Sequence, residues 1–393
     1  MFNKKIVIIS NYFPPEMGAA ANRIQNMAEG LHDRGNEVTI ICPIPNYPLG
    51  KIFKEYKGKF KVKEEKNEIL IERYWVFPSV SRNMFVRFLS MISFAFSMWF
   101  SLFSLLKKKP NLIIVQSPPL FVALSGLLLS KLIRSKSILN VSDLWPLSAL
   151  ELGKLKKGVL YSILEEIEKI NYRLADKIIG QSEETINYIS NSINKDCLVY
   201  RNVPFFKETT SKPKNKTLKI VYAGLLGYAQ GLLGLCKQIN FKELNVEFHI
   251  YGSGMEENEI RNYIKNNDTT IFFHGRLNSD IIKIEILKYD VALVCLVDYI
   301  YGAVPSKIFD LMQLKTPILF SGLGEGAEIV KNEEIGLCSE PNDLSKLIEN
   351  IETFKNMDTN SYTSFSDNCY TAHLNKFNLE LEMDKLVNFI DYF

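Results

Sequence analysis

The sequence predicts an α/β protein of two doubly wound domains with a cleft between them, and three observations lead to this. Apolar, strand-like runs alternate with amphipathic helical segments through the first half of the chain. A polar stretch without apolar periodicity, 205–217, then breaks the alternation. The alternation starts again after it, and 393 residues are enough for two domains. We expect domains at 1–204 and 218–374, a linker at 205–217, and a closing helix at 375–393 that could pack back on the first domain.

The first domain is predicted to be a series of strands joined by crossover helices. It begins with a strand at 5–10 and a helix at 18–35, which ends at a glycine, the residue typical of helix C-termini. Further strands are predicted at 37–42, 68–78, 111–116, 137–143 and 177–182, and further helices at 120–133 and 158–174. A basic loop is expected ahead of the strand at 68–78. This order predicts a parallel sheet covered by helices.

The second domain shows the same pattern. Its strands are predicted at 218–224, 246–254, 270–275, 291–296 and 316–322. In doubly wound sheets, ligands bind outside the carboxyl ends of the strands. The loops that follow these strands are therefore where binding residues are expected.

The segment 88–106 carries no charged residue, and a helix of about 20 apolar residues is long enough to cross a bilayer. A span would separate the strands before and after it, which could then not share a sheet. We therefore expect a crossover helix. Its serines follow a spacing that places them on one face, predicted to pack against the sheet: Ser90, Ser93, Ser97, Ser101 and Ser104.

The opposite face of this helix is predicted to carry Phe88, Ile92, Trp99 and Phe103. Either another part of the protein or lipid must cover these side chains. Lysines cluster between residues 51 and 63 and again at 107–109. Such clusters attract anionic headgroups at about 1 kcal/mol per residue, although a solvated basic loop would have the same composition.

Composition and missing motifs argue against several classes of function. A net charge of +3 is too small to indicate nucleic-acid binding. The six cysteines are scattered, which predicts neither disulfides nor a zinc site and fits a reducing cytosol. Neither G-x-G-x-x-G in the first strand–loop–helix, nor G-x-x-x-x-G-K-[ST], nor a D-x-D pair occurs. We expect no bound cofactor and no metal site.

One motif in the second half predicts an anion site. In "VPSKIFDLMQLKTPIL", Pro305 suits the first turn of a helix, so Ser306 and Lys307 would stand at its start. Backbone N–H groups and the helix dipole favour an anion there, and the ammonium of a lysine adds to this. The alternative is an ordinary helix start with a solvated lysine.

This segment, followed by "GEGAEIV", resembles the nucleotide-sugar site of family-4 glycosyltransferases, whose GT-B fold has two Rossmann-like domains with an interdomain cleft. Further resemblances follow in the family's order: "NYFPPEMGAAANR", "RGNEVTIIC", "QSPPLF", "SDLWP", "YAGLLGYAQGL", "YGSG" and "FHGR". The combination of "SPPLF", "DLWP", "AQGL" and "PSK" resembles the transferases of bacterial capsule and O-antigen synthesis, including those that add N-acetyl-L-fucosamine.

The resemblance implies a retaining transferase without a metal, with a UDP-sugar as donor. Lys307 would hold the diphosphate, approached from the other domain by Gly18 and Ala19 at the start of the first helix. Preorganised donors of this kind stabilise charge that develops on a leaving group. Asp310 would bind the ribose hydroxyls, and Asp143 would lie near the transferred sugar unless it is only a cap or turn residue.

The other residues implied in donor binding come from the same motifs. Arg276 and Leu277 would hold the uracil, and Arg276 joins Lys307 and Asp143 as a catalytic candidate. The remaining donor-side residues are Gly224, Gly252, Gly275, Ser306, Glu325 and Glu328. Of these, Glu325 and Glu328 are candidates for sugar hydroxyls, although Glu328 could instead face only solvent. His274 is expected to pack rather than react.

The first domain faces the acceptor in this family, and Glu16, Arg23 and Trp145 are the residues expected on that side. The aromatic helix and the lysine clusters lie in the same domain. We therefore expect a polyprenyl-diphosphate-linked glycan as acceptor. The expected location is the cytoplasmic face of the bacterial inner membrane, with the protein peripheral or monotopic.

The chain departs from the family pattern at two places, and other functions stay open. Gly302 stands where the first glutamate of the E-x7-E motif is expected, and Asp310 replaces the second. Leu225 and Gln230 replace the Arg/Lys pair often seen after the first strand of the donor domain. The alternatives are a nucleotide-sugar 2-epimerase of the same fold and a non-catalytic, membrane-associated partner in polysaccharide assembly.

Overall fold

The structure is a computed structural model that describes residues 3–16, 18–47, 50–79, 84–205 and 214–393. It divides into two compact units, Met1–Asn202 with Leu379–Phe393, and Val203–Asn378. Each unit is built on a parallel sheet with crossover helices, which confirms the predicted α/β class with two doubly wound domains. Most of the predicted linker, 206–213, lies outside the described residues.

The first unit is an eight-stranded sheet with helices between its strands. The strands are β1 (Lys5–Ile9), β2 (Glu37–Pro43), β3 (Lys61–Lys66), β4 (Ile69–Tyr74), β5 (Leu112–Ser117), β6 (Lys136–Val141), β7 (Lys177–Gly180) and β8 (Cys197–Val199). The helices are α1 (Ala19–Asp33), α2 (Met84–Ser97), α3 (Leu102–Lys108), α4 (Leu120–Leu132), α5 (Leu147–Glu151), α6 (Val159–Leu174) and α7 (Glu183–Ser192), with 3₁₀ turns at Lys54–Tyr56 and Met98–Ser101.

The strand order in this sheet is β3-β4-β2-β1-β5-β6-β7-β8. The order reverses at β1, which pairs in parallel with β2 on one side and β5 on the other. The strands β1 and β5, which meet at this switch point, are buried along nearly their whole length, as expected for a parallel sheet covered on both faces. The loops after β1 and β5 therefore open at the sheet edge where ligands bind in such folds.

The strand β3 corrects the predicted basic loop. It runs antiparallel to β4 through a turn in which Asn67 and Glu68 both have positive φ. Its sequence, "KVKEEK", has one apolar residue, and both of its faces are largely exposed, so it has little of the hydrophobic pattern by which a strand is predicted. An edge strand rich in lysine is also a common protection against pairing with other chains.

The apolar run forms α2, a 3₁₀ turn and α3, which connect β4 to β5 within one sheet, so the predicted crossover is confirmed. The described segment Phe88–Lys108 is long and apolar enough to cross a membrane by length and composition, and 33% of its most apolar window is buried within the protein. The serine face packs as predicted. Ser93 Oγ accepts a hydrogen bond from the Phe77 N–H at 2.8 Å, and Ser97 Oγ donates to the Trp75 carbonyl.

The outer face of this helix differs from the prediction in one respect. Phe88 packs edge-to-face on Phe121 of α4, at 5.3 Å between ring centroids. Phe103 (79%) and Trp99 (36%) are exposed as predicted, and Phe96 (71%) and Phe100 (51%), which were not predicted, are exposed with them. Phe88 and Phe96 both lie in α2, ahead of the 3₁₀ turn, so the difference comes from the contact with α4, which covers Phe88 and leaves the neighbouring side of the helix exposed.

The helix end is fixed by a buried carboxylate. Glu72 on β4 is fully buried, and it lies 3.1 Å from the ammonium groups of both Lys61 and Lys108. Tyr74 Oη and Ser104 Oγ donate hydrogen bonds to the same carboxylate. Burial opposes the charge, but these donors and cations outweigh it and lower the pKa of Glu72 to about 2. Lys108 is thus a structural residue rather than a free surface cation.

The chain closes with α15 (Leu379–Asp391), which belongs to the first unit. Arg34 binds it through Glu380 at 3.0 Å and Asp384 at 2.8 Å. Gly30 of α1 allows this close approach, because a Cβ there would lie 2.8 Å from Met383 Cγ and the methionine side chain would have to shift. The helix predicted from residue 375 onward begins at 379, since the preceding helix ends only at 375.

The second unit has a six-stranded sheet of order β11-β10-β9-β12-β13-β14. Its strands are β9 (Lys219–Leu225), β10 (Glu247–Ser253), β11 (Ile271–Gly275), β12 (Val291–Cys295), β13 (Ile318–Ser321) and β14 (Gly336–Ser339). Its helices are α8 (Leu232–Gln238), α9 (Glu257–Asn266), α10 (Ser279–Ile286), α11 (Lys307–Gln313), α12 (Glu325–Asn332), α13 (Leu344–Asn356) and α14 (Thr359–Asn375). The order reverses at β9, between β10 and β12, so this sheet has its own switch point.

Candidate donor site

Lys307 lies at the switch point of the second unit. It is the first residue of α11 and reaches back to the end of β9. Its Nζ lies 3.4 Å from Tyr222 Oη and 4.4 Å from the centre of the Tyr222 ring. Gly224 leaves the room for this approach, because a Cβ at position 224 would lie 1.9 Å from the ammonium nitrogen.

The Lys307 ammonium has a cation–π contact, but no described carboxylate lies within ion-pair distance of it. Burial disfavours its charged form and lowers its pKa to about 8, although Cys295 and Asp310 act in the opposite direction. A lysine in this state gains most from an anion that binds beside it, because the anion restores the lost favourable interaction with solvent. The motif that predicted an anion site therefore has a matching geometry.

Asp310 lies one turn further along α11 and is already paired. Its Oδ1 is 3.0 Å from the Nζ of Lys283 on α10. Lys283, Lys307 and Asp310 line one cavity of about 100 Å³ between α10, α11 and the sheet. The carboxylate expected to receive ribose hydroxyls is thus held by a lysine that sequence motifs did not point to.

Glycines bring the loops of this unit close together. Gly252 at the end of β10 has φ 156°, and a Cβ there would lie 1.9 Å from the Gly224 carbonyl oxygen. The Leu226 N–H donates to the Ser253 carbonyl at 3.0 Å, which joins the loop after β9 to the one after β10. These contacts hold the backbone of Gly224 against the end of β10.

The predicted base-binding residues follow β11. Gly275 has φ 78°, a conformation that favours glycine, Arg276 is exposed and Leu277 is half-buried. His274 stacks on Tyr251 at 4.5 Å, and its Nε2 lies 3.0 Å from Nδ1 of His249. Burial lowers the pKa of both histidines. His274 is therefore engaged in packing, as expected.

The remaining donor-side candidates lie at two helix starts. Ser306 is half-buried directly before Lys307. Glu325 opens α12 and is 5% exposed, whereas Glu328, one turn later, is exposed. The two glutamates therefore have different environments, and Glu328 has the solvent-facing position that the sequence left as an alternative.

The acceptor-side candidates lie in the first unit, and two of them are buried. The carboxylate of Glu16 accepts from the N–H groups of Asn46 at 2.7 Å and Tyr47 at 2.8 Å, while burial raises its pKa. It thus fixes the loop after β2. Arg23 is 2% exposed and donates to the Tyr200 carbonyl at 2.8 Å. It would have to leave the core to touch an acceptor.

The other first-unit candidates are more accessible. Gly18, at the N-cap of α1, and Ala19 are exposed. Trp145 is half-buried in the loop after β6. Burial raises the pKa of Asp143, and the Ser148 hydroxyl and the Leu144 N–H, which interact with its carboxylate, act in the opposite direction. These local partners are those of a turn residue, the alternative that the sequence left open for Asp143.

Two residues of the site were missed in the sequence. Tyr222 lies in the apolar strand "KIVYAG" and has the pattern of a core residue, and Lys283 lies on a helix without a recognisable motif. No residue pattern in the sequence indicates either contact. Tyr222 and Lys307, for example, are 85 residues apart.

Two family models match the chain on either side of this division. Residues 18–194 match the glycosyl transferase 4-like domain, and residues 217–356 match glycosyl transferases group 1. The chain is a glycosyltransferase. Among curated protein sequences, none matches it.

Solved structures place this glycosyltransferase in the GT-B fold. The sucrose-phosphate synthase of Thermosynechococcus elongatus is similar with a TM-score of 0.74 at 14% identity, over 99% of this chain and 98% of that one. A glycosyltransferase of Rickettsia africae gives 0.70 at 16% identity over 99% and 98%. The Anabaena protein HepE, solved in complex with UDP, gives 0.68 at 12% identity over 99% and 100%. The predicted fold class is thereby confirmed.

Proposed function

We propose that this glycosyltransferase moves a sugar from a UDP-sugar to a saccharide carried on polyprenyl diphosphate, with retention of configuration and without a metal. The observation that carries the proposal is the Lys307 ammonium, held at the switch point beside Gly224 and Tyr222. A cation in this place can stabilise the charge that builds on a diphosphate as the glycosidic bond breaks. EDTA tests the metal independence directly, since activity should survive it.

Two lines of support favour UDP as the donor nucleotide. The motifs around "PSK" resemble a nucleotide-sugar site, and the neighbour HepE is a UDP complex. The resemblance to capsule and O-antigen transferases favours an N-acetylamino sugar such as N-acetyl-L-fucosamine. The proposed roles place the diphosphate at Lys307, the ribose at Asp310 and the base at Arg276 and Leu277.

A thermal-shift screen against UDP-, GDP- and TDP-sugars tests the nucleotide. Binding to the folded state raises apparent stability by about 2.7 kcal/mol at a ligand concentration 100 times Kd. We expect UDP-sugars to raise the melting temperature and Lys307→Ala to abolish the shift and most of the turnover. Near-normal turnover in that variant would refute the site. A donor that changes with no acceptor present would identify an epimerase, and no response to any nucleotide sugar would favour a non-catalytic partner.

The acceptor and the location are proposed from the first unit. The exposed rings of Phe96, Phe100 and Phe103 form an apolar strip, which we call the aromatic face. Exposed Lys107 and Lys109 follow it, and the lysines between 51 and 63 are exposed as well. An apolar strip edged by lysines suits the anionic cytoplasmic surface of an inner membrane, where a polyprenyl-linked acceptor would be found.

Vesicle sedimentation tests this location. Changing the three phenylalanines to serine should reduce binding at every salt concentration, and changing the exposed lysines to glutamine should reduce it mainly at low salt. Vesicle binding that survives high salt and the lysine changes unaltered would show that electrostatics has no part in it.

A further inference from the structure

The first unit has a second apolar and basic surface, at the start of α6. Val159, Leu160 and Ile163 are 79%, 47% and 52% exposed. Three exposed lysines, Lys154, Lys156 and Lys157, precede them in the loop that leads into the helix. We call these six residues the α6 tip.

The core of the unit does not use these apolar side chains. The buried positions of α6 are Leu164, Glu168, Asn171 and Tyr172, which lie on the other side of the helix. Single exposed apolar residues are normal on a protein surface, but a cluster of them marks a contact site. Three neighbouring ones at the first turns of one helix therefore require an explanation.

The tip itself carries three positive charges. No aspartate or glutamate occurs between Leu152 and Leu164, while Glu151, Glu165 and Glu166 flank this stretch and Lys154 interacts with the Asp143 carboxylate. A protein partner with an ordinary mixed surface would be less suited to such a patch than a uniform layer of phosphates. Lysines over apolar side chains are the composition that binds at an anionic bilayer surface.

The tip belongs to the same layer of helices as the aromatic face. Helix α4 packs against both α2 and α6, so the three helices lie side by side. The tip follows β6 and the loop with Asp143 and Trp145, which places it toward the carboxyl edge of the sheet.

We propose that the α6 tip is a second contact with an anionic bilayer, so that the first unit meets the membrane at two places. This inference rests on the proposed membrane location of the enzyme. The lysines would meet the lipid phosphates, and Leu160 and Ile163 would enter the boundary between headgroups and acyl chains. A single helix in contact with lipid leaves the unit free to rotate about it. Two separate contacts fix the orientation in which the acceptor side meets the membrane surface.

The experiment compares variants of the full chain for sedimentation with vesicles of phosphatidylcholine and phosphatidylglycerol. Lys154, Lys156 and Lys157 are changed to glutamine in one variant, and Leu160 and Ile163 to serine in another. A matched control changes three exposed lysines of the second unit to glutamine, Lys216, Lys237 and Lys265. It loses the same charge, so any effect of net charge alone appears in it too.

We expect the tip lysine variant to lose about fivefold in partition per lysine, and the control to stay near the unchanged protein. The serine variant should lose the binding that remains at high salt. Pure phosphatidylcholine vesicles should show no difference between the lysine variant and the unchanged protein. A variant that combines the tip changes with Phe→Ser changes at the aromatic face should lose the vesicle binding that remains when only one of the two surfaces is changed.

Two results would overturn the inference. One is equal loss in the tip variant and the control, which would mean that only net charge matters. The other is unchanged vesicle binding in both tip variants, even if they lose activity on native membranes, since that would indicate a protein partner. Thermal shifts with UDP-sugars should be unaffected by the tip changes. If the unchanged protein responds to no nucleotide sugar, the proposed function fails, whereas the vesicle comparison still decides the tip.

Discussion

Replacing Gly224 by alanine should displace the Lys307 ammonium from the donor site and leave the fold intact. The new Cβ would lie 1.9 Å from Lys307 Nζ and 2.4 Å from Cε, so the side chain must move by more than 1 Å. The obstructing atoms are the far end of a flexible side chain, which can swing away. Gly224 is not among the glycines with positive φ, so alanine can adopt its backbone conformation.

The magnitude follows from what the ammonium contributes. A hydrogen bond to a charged group contributes about 1.5–3 kcal/mol, which corresponds to roughly a 10- to 150-fold change in Kd. Gly224→Ala should weaken UDP binding by this amount, because the cation no longer reaches the diphosphate. Lys307→Met should weaken it similarly. Because both changes remove one interaction, the double variant should bind no more weakly than the worse single variant.

Isothermal titration of UDP provides the measurement, with Gly234→Ala as the matched control. A Cβ at position 234 would meet its nearest neighbour, Gln238 Nε2, at 3.5 Å, an ordinary contact. This helix position should accept alanine with unchanged binding and a gain in stability of up to about 1 kcal/mol. Melting temperatures of all variants check that the loss of binding is not a loss of fold.

The result that would refute the reasoning is a Gly224→Ala protein that binds UDP as tightly as the unchanged chain. If Lys307→Met still lost binding, the ammonium would act from another position than beside Gly224. If neither change affected binding, Lys307 would be no part of the donor site.

Three further predictions concern titration. The pKa of Lys307, lowered to about 8, should make UDP binding strongest below pH 8 and weaker above it, approaching about tenfold per pH unit in titrations between pH 7 and 10; a flat profile would contradict it. Glu72, whose pKa falls from 4.5 to about 2, contributes stability that is present above pH 4.5 and lost as the pH falls toward 2. Glu72→Gln should therefore cost up to about 3 kcal/mol in urea unfolding at pH 7 and almost nothing at pH 2. Glu168, fully buried on α6 beside Tyr172, should give stability the opposite dependence on pH, because its pKa is raised to about 7 and folding favours its neutral form. The contribution of the Glu168 carboxyl to the free energy of unfolding is present below pH 4.5 and lost as the pH rises to 7. Glu168→Gln should therefore raise the free energy of unfolding by up to about 3 kcal/mol at pH 8 and by little at pH 4.5. An equal increase at both pH values would contradict this.

The strands of both sheets could be predicted because parallel strands buried on both faces are nearly continuous apolar runs. "KIVII" and "VALVC" are examples, and both form strands at the predicted places. The antiparallel β3 has no such run, since its faces are exposed. The exposed side of α2 was also beyond prediction, because it is set by the contact of Phe88 with Phe121 on α4, and no local pattern in the sequence indicates which helix packs there.

The part of the candidate site that depends on residues adjacent in sequence could be predicted. Lys307 could be found because its proline and serine neighbours are adjacent in sequence. Glu16 and Arg23 belong to a matched motif, yet their burial depends on partners 30 to 177 residues away, Asn46, Tyr47 and Tyr200. Contacts over such distances are set by packing, and one sequence does not record them.

The loop after β9 lacks the Arg/Lys pair that the family resemblance led us to expect, but a neighbouring helix supplies a cation nearby. Leu225 and Gln230 carry no charge, which in sequence leaves Lys307 as the main cation for a diphosphate. Lys283 on α10, however, lines the same cavity as Lys307, with its Nζ 3.0 Å from Asp310. The cavity therefore has two cations and one carboxylate, a net charge of +1, where Lys307 and Asp310 alone would cancel. We expect this positive charge, supplied by a neighbouring helix, to favour the proposed anionic donor in a chain whose loop carries Leu225 and Gln230.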